Sequence, residues 1–282
     1  MRYYARFIRE EKGLLTFNRI VWVVLVALSV GLVWVVWHET PRQSLQEPED
    51  TSAMAVSALP DFAAITDVQA KKQAFFDFMW PAIVDANQQV LTERTYLKAL
   101  QGKKWTARQE DELAELALKY QQPRQAQQSK ADWLAVLLEK VDIIPPSLAL
   151  AQAANESAWG TSRFAREGFN FYGQWCFSAG CGLVPNARLE GMTHEVRRFD
   201  RPADSVAAYV LNLNSLAAYQ SLRALRAQQR RQGVVDGAAL AEGLLAYSER
   251  GEAYVEEIKT MIRLNDLAQY DARFAQEVGQ GG

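Results

Sequence analysis

The chain has 282 residues, with 31 Lys+Arg against 33 Asp+Glu, two His, two Cys and 49% apolar residues. A net charge of −2 lacks the basic excess that coating nucleic acid requires, and two Cys with two His fall short of a structural zinc site. The apolar fraction excludes wholesale disorder, and the length allows one or two domains with a sizeable core.

Residues 1–19 carry a net +3 and precede residues 20–37, IVWVVLVALSVGLVWVVW, which hold no charge. As a helix this run spans roughly 27 Å, close to the ~30 Å hydrocarbon core of a bilayer. Trp22, Trp34 and Trp37 lie near its ends, where indole rings favour the membrane–water boundary. A soluble core helix is rarely β-branched and Trp-rich on every face. The following His38-Glu39-Thr40-Pro41 offers no small-x-small cleavage site, so residues 20–37 read as an uncleaved transmembrane anchor. Residues 38–66 carry a net −4, and positive-inside bias then leaves residues 1–19 as a cytoplasmic tail. For a bacterial chain this means a single pass through the inner membrane, with everything after Trp37 in the periplasm.

Residues 38–66, with Pro41, Pro48 and Pro60 and no hydrophobic period, read as a flexible linker of roughly 30 Å r.m.s. span. From Asp67 the period is helical. The stretch VQAKKQAFFDFMW ends before Pro81, which is expected to kink or restart the helix into AIVDANQQVLTERTYLKAL. Thr106 is placed to cap ARQEDELAELALKY, and residues 130–140 form a further amphipathic helix. Pro145-Pro146-Ser147 opens LALAQAANESAWG, with prolines where a first turn tolerates them. Asp204 is expected to cap SVAAYVLNLN, Asp236 to cap GAALAEGLLAY, and Gly251 to precede AYVEEIKTMIRLN. Only about residues 169–199 break the period, with Gly, Cys and alternating aromatics that suggest a loop and a small hairpin.

Familiar catalytic signatures are absent: there is no Gly-x-Ser-x-Gly elbow, phosphate-cradling glycine loop or His-Glu-x-x-His. No cofactor or metal is implied, and hydrolysis by carboxylates is the class to examine. Glu156 lies near the end of a helix rich in small residues, where neighbouring helices approach closely. A carboxyl there is desolvated, which favours its neutral form and suits a general acid. The plain alternative is an exposed Glu that ends an Ala-rich helix.

The stretch LAQAANESAWGTSRFAREGFNFYGQW resembles the active-site segment of glycoside hydrolase family 73. The matching residues are Ala153, Glu156, Ser157, Trp159, Gly160, Ser162, Phe164, Ala165, Asn170 and Gly173. Phe169 and Tyr172 depart from the family's Asn and Phe. Further on, AYVLNLNSLAAYQSLRALRAQQR and LLAYSERGEAYVEEI look like the Bax branch of that group. The resemblance covers about residues 67–265. It implies a mainly α, lysozyme-like glucosaminidase domain over 141–265 with a small β-hairpin insertion. Residues 67–140 would form a helical N-terminal part of the globular region, and 266–282 a tail.

The resemblance further implies an endo-β-N-acetylglucosaminidase acting on the glycan strands of peptidoglycan, with Glu156 as general acid. The family's functional tyrosine maps onto Tyr247, which could instead be a packed helix-end residue. Tyr254 reads as packing. For a second carboxylate the hairpin offers Glu190 and Glu195, of which Glu195 is the better placed, unless the substrate's own acetamido oxygen serves. Ser157, Trp159, Asn170, Tyr172 and Trp175 are the substrate-binding candidates. Several aromatics could equally fill a small core, and Trp175 is expected to be exposed.

Cys176 and Cys181 are expected to form a disulfide in an oxidising envelope compartment; a Cys176–His194 nucleophilic pair is the sharper alternative. Arg223, Arg226, Arg230 and Arg231 read as a solvated basic helix face. Two other functions stay open: a non-catalytic cell-wall-binding scaffold, and a lytic transglycosylase.

Overall fold

A computed structural model describes residues 59–279, apart from 187, 189 and 190. The proposed anchor at 20–37 and the candidate Glu190 lie outside the described residues. Among the described residues no helix is long and apolar enough to cross a membrane.

Among the described residues the fold is mainly helical with one small antiparallel sheet, and ten α-helices run in chain order as α1 (Val68–Leu100), α2 (Ala107–Lys119), α3 (Lys130–Lys140), α4 (Pro146–Ser157), α5 (Arg163–Gly168), α6 (Pro202–Ser215), α7 (Gln220–Arg231), α8 (Gly237–Leu240), α9 (Glu252–Leu264) and α10 (Ala268–Gly279). The strands β1 (Trp175–Cys176), β2 (Gly182–Leu183) and β3 (Glu195–Arg197) fall between α5 and α6, in spatial order β1-β3-β2. β3 is thus central, pairing Trp175 with Val196 and Leu183 with Val196 on its two edges.

Local chemistry sets most boundaries. Thr106 and Gln109 form a reciprocal capping box at the start of α2, and Ser129, Ser162 and Asp236 cap α3, α5 and α8. α4 starts at Pro146, where the missing N–H is no loss. Asp204 does not cap α6. That helix already begins at Pro202, and Asp204 lies in its first turn, paired with Arg201 at 2.7 Å. Nor does Pro81 interrupt α1, which runs through it. Met79, Trp80, Ala82 and Ile83 are buried on both sides of the proline, and this tertiary packing outweighs the lost backbone hydrogen bond.

α4 is the axis of the core. Every residue from Pro146 to Ala154 is buried, and α1, α8, α9 and α10 all pack on it. Ala149, Ala151, Ala153 and Ala154 permit this close approach on all sides. Residues 59–66 are not pure linker: Phe62 is buried and packs edge-on against Phe75 and Phe78. The supposed tail likewise folds as α10, with Tyr270 and Phe274 in the core. Its Asp271 carboxylate accepts from the Ser147 N–H at 2.7 Å and hydroxyl at 2.6 Å, satisfying donors at the start of α4 that Pro145 cannot cap.

Of the four arginines of α7, Arg230 and Arg231 are exposed as expected, but Arg223 and Arg226 are not part of a solvated face. Arg226 is fully buried and donates to the carbonyls of Glu139, Lys140, Asp142 and Ile143 and to Asn214 Oδ1. It thereby satisfies carbonyls at the end of α3 that have no intrahelical partner. Arg223 is also buried, on the carbonyls of Leu213 and Leu216, and Arg230 pairs with buried Asp142 at 2.7 Å. Burial alone would raise the Asp142 carboxyl, but the Arg230 hydrogen bond and the charges of Arg226, Arg230 and Arg94 outweigh it and hold the group below the usual range.

Candidate active site

Glu156 is the second-last residue of α4, and with Asn155 it is one of the two positions in that helix left partly open to solvent. The helix stops abruptly. Ala158, Trp159 and Gly160 all take positive φ, at 50°, 58° and 76°. The buried Ser157 hydroxyl locks this turn, donating to the Ala153 carbonyl at 2.6 Å and accepting from the Gly160 N–H at 2.8 Å. Trp159 N–H returns to the Ala154 carbonyl at 2.9 Å.

Opposite lies the loop after α5. The Asn170 side-chain oxygen accepts from the N–H groups of Tyr172 and Gln174, while its amide donates to the carbonyls of Gln174 and Arg197 at 2.9 Å each. One buried side chain thus ties the loop to β3. Gly173, at φ +63°, lies against the acid: a Cβ there would stand 3.4 Å from Glu156 Oε2.

Burial pushes the Glu156 carboxyl above the usual carboxylate range, and the charge of Glu257 adds to the rise. Hydrogen bonds from Tyr254 and Asn155 and the charge of Arg250 offset part of it. Tyrosines supply most of the surroundings. Tyr254 accepts from Gln152 Nε2 at 2.9 Å, and Gln152 Oε1 accepts from the Tyr209 hydroxyl at 2.7 Å. Tyr247 stacks on Tyr254 with centroids 5.4 Å apart, and its hydroxyl donates to the Tyr172 carbonyl at 2.9 Å. Tyr172 stacks on Tyr209 at 3.9 Å. Burial pushes the phenols of Tyr209, Tyr247 and Tyr254 well above their ordinary values, so they are protonated donors at neutral pH.

The structure brings Glu156, Tyr247 and Tyr172 together. Ser157 and Asn170 serve as buried scaffold: the hydrogen bonds that shape the turn and the loop engage the Ser157 hydroxyl and both ends of the Asn170 amide. Tyr172 is buried too, and its hydroxyl has no partner among the described residues. Trp159 is half-buried, edge-on to Phe76 at 5.4 Å, with Lys72 Nζ 5.2 Å from its ring centre. Trp175 is 54% exposed and stacks on His194 at 4.1 Å.

Glu195 faces Cys176 across the β1–β3 ladder. Its carboxylate accepts from the N–H groups of Gly180 at 3.0 Å and Gly182 at 2.8 Å, which hold it below the usual range. Cys176 and Cys181 form a disulfide, so Cys176 offers no nucleophilic thiolate to His194. The two sulfurs and the Glu195 carboxylate cluster within 4.8 Å, a potential metal triad, but bonded sulfurs present no thiolates to a metal. Sequence reasoning missed Gln152, which sits four residues before Glu156 and so shares its helix face, and set Tyr254 aside as packing. It also missed the Arg250–Glu257 pair, 2.6 Å apart, whose charges both reach Glu156.

Residues 131–267 match the family model described as Glucosaminidase, mannosyl-glycoprotein endo-beta-N-acetylglucosaminidase. The chain is 35% identical over 225 residues to Protein bax of Escherichia coli (strain K12), covering 79% of each chain. Among solved structures, the catalytic domain of the autolysin Auto from Listeria monocytogenes is similar at 16% identity and a TM-score of 0.38, covering 74% of this chain and 92% of that one. The chain belongs to the glucosaminidase family of glycoside hydrolases, in the group that contains Bax.

Proposed function

We propose that this protein is an endo-β-N-acetylglucosaminidase of peptidoglycan, with a lysozyme-like catalytic domain and Glu156 as its general acid. The observation that carries this is the half-buried Glu156 carboxyl, which burial holds toward its neutral form among phenol donors. A carboxyl whose neutral form is favoured by burial can give its proton to the leaving glycosidic oxygen as the C1–O bond breaks.

The partner in this step is the substrate's 2-acetamido oxygen, which attacks C1 to form an oxazoline. Water then opens that ring and yields its proton to the Glu156 carboxylate, releasing a reducing-end N-acetylglucosamine. The commitment of both Glu195 oxygens to loop amides supports this over a catalytic Glu195. Tyr247, fixed on the Tyr172 carbonyl, would shape the floor beneath the sugar, and exposed Trp175 would stack on a pyranose face.

Residues 20–37 would anchor the enzyme in the inner membrane and hold its catalytic domain in the periplasm. Recovery in the membrane fraction, with the catalytic domain digested by protease in spheroplasts, is the expected result; a soluble product from the full chain would overturn the anchor.

Purified sacculi test the chemistry. The wild-type enzyme should release fragments ending in reducing N-acetylglucosamine, and Glu156→Gln should release them more slowly by about 100-fold or more. Anhydro-muramyl ends would establish a lytic transglycosylase instead, and tight sacculus binding without any product would establish a scaffold.

A further inference from the structure

Three helices converge on Gln152. It projects from α4, its Oε1 accepts from Tyr209 of α6 at 2.7 Å, and its Nε2 donates to Tyr254 of α9 at 2.9 Å. Gln152 and Tyr209 are fully buried and Tyr254 nearly so, so no bulk water competes for these bonds. A tyrosine hydroxyl has one proton to give. Tyr209 gives its proton to the Gln152 carbonyl, and this leaves the amide NH2 to face Tyr254. Tyr254 then cannot donate to Gln152, because it already accepts there. The acceptor left for its proton is the Glu156 carboxyl, one turn on from Gln152 along the same face of α4, and the phenol and the carboxyl shift each other's titration.

We infer that Gln152 is a positioning residue: clamped by Tyr209, it orients the Tyr254 hydroxyl as an obligatory donor to Glu156 and keeps the acid's proton off the carboxyl oxygen that accepts from Tyr254. The inference rests on Glu156 being the general acid. An oxygen that receives a hydrogen bond in both protonation states is a poor place for the proton, so the transferable proton is confined to the other side of the carboxyl. The same bond favours the carboxylate and limits the rise that burial causes, so the group can cycle between acid and base. Asn155 beside it is uncharged; Arg250 just before α9, Glu257 in its second turn, Tyr219, and Tyr247 stacked on Tyr254 are the other titratable and charged groups that act on Glu156 and Tyr254. None of these holds Tyr254 from behind as Gln152 does.

The test is the pH–rate profile of sacculus digestion by the full-length enzyme, with Glu156 followed in parallel by carboxyl 13C NMR. Activity of a general acid falls as pH rises through its pKa. Removing a donor to the carboxylate raises that pKa, so Tyr254→Phe should move the alkaline limb upward by roughly 1–2 pH units, the size expected of one hydrogen bond to a charged group, and Gln152→Met, which leaves the Tyr254 hydroxyl in place but unclamped, should move it in the same direction by less. Tyr209→Phe, which frees the amide to turn over, should move it in the same direction by less, and it serves if Gln152→Met does not fold. Because Gln152 acts through Tyr254, the double variant should titrate like Tyr254→Phe alone. An unmoved limb and an unmoved NMR titration in every variant would overturn the inference, as would a further shift when Gln152→Met is added to Tyr254→Phe. Glu156→Gln separates the two levels: if it digests sacculi at close to the wild-type rate, the general-acid reading itself is lost, whereas a Glu156→Gln slowed about 100-fold or more with unmoved limbs elsewhere removes only the role of Gln152.

Discussion

Asp271 of α10 receives both the backbone N–H and the hydroxyl of Ser147, at 2.7 and 2.6 Å, so the last helix caps the first turn of the helix that ends in Glu156. Burial pushes the Asp271 carboxyl up to about 6, against an ordinary value of 3.8, despite these donors. Between about pH 4 and 6 the folded chain therefore holds a proton that the unfolded chain has released. Stability should rise as pH falls through this window and decline as pH rises out of it, by at most about 3 kcal/mol. Asp271→Asn should flatten that segment of the curve, while its single acceptor oxygen keeps only one of the two bonds from Ser147 in their present form. Urea unfolding of both proteins at pH 4.5, 5.5 and 7 checks this, the difference between them cancelling other groups; parallel curves would contradict it.

Two carboxylates can be separated by activity. Glu156→Gln should lower sacculus digestion by about 10²- to 10⁴-fold, the usual share of a general acid, without lowering the melting temperature. Glu195→Gln should stay within about tenfold of wild type but melt earlier, because a neutral amide offers one acceptor oxygen where Gly180 and Gly182 need two. Equal losses of activity from both would return Glu195 to the catalytic step.

Arg226→Met is expected to cost about 3 kcal/mol or more, because it strips partners from buried carbonyls at the end of α3 and from Asn214. Arg226→Lys should recover only part of this, since an ammonium cannot span the same fork. Chemical denaturation midpoints measure both.

Trp175→Ala should leave the unfolding midpoint unchanged, since the indole is exposed and, among the described residues, stacks on His194 alone. The apparent KM for soluble glycan fragments should rise several-fold at nearly constant kcat, the pattern of lost uniform binding. A fall in kcat alone would remove Trp175 from the binding surface.

Reduction of the Cys176–Cys181 bond should free the loop whose amides hold Glu195, and hydrogen exchange at Gly180 and Gly182 should accelerate while α4 stays protected. Mass mapping of envelope-derived protein should find the two cysteines joined.

Much of the helical frame was legible because it is written locally. The Thr106–Gln109 box, the prolines that open α4 and the cysteine pair each carry their instruction within a few residues. The partial burial of Glu156 was legible from its small-residue neighbourhood, while its candidacy as the acid came from the family resemblance. What escaped depends on distant partners. The arginines of α7 form an amphipathic stripe in sequence, and only the carbonyls at the end of α3, far away in the chain, make burial of Arg226 tolerable. Tyr254 shows the same period as a core residue because it is one; its second task is set by Gln152 on another helix. Pro81 reads as a breaker in isolation, and the packing around Trp80 overrules it.

The left-handed stop after Ser157 has a chemical consequence as well as a geometric one. Aligned peptide dipoles leave roughly half a unit of negative charge at the carboxyl end of a helix. Glu156 shares that end of α4, so the direction in which the chain runs through the core itself favours proton retention. The same side chain mounted on an amino terminus would be driven to ionise.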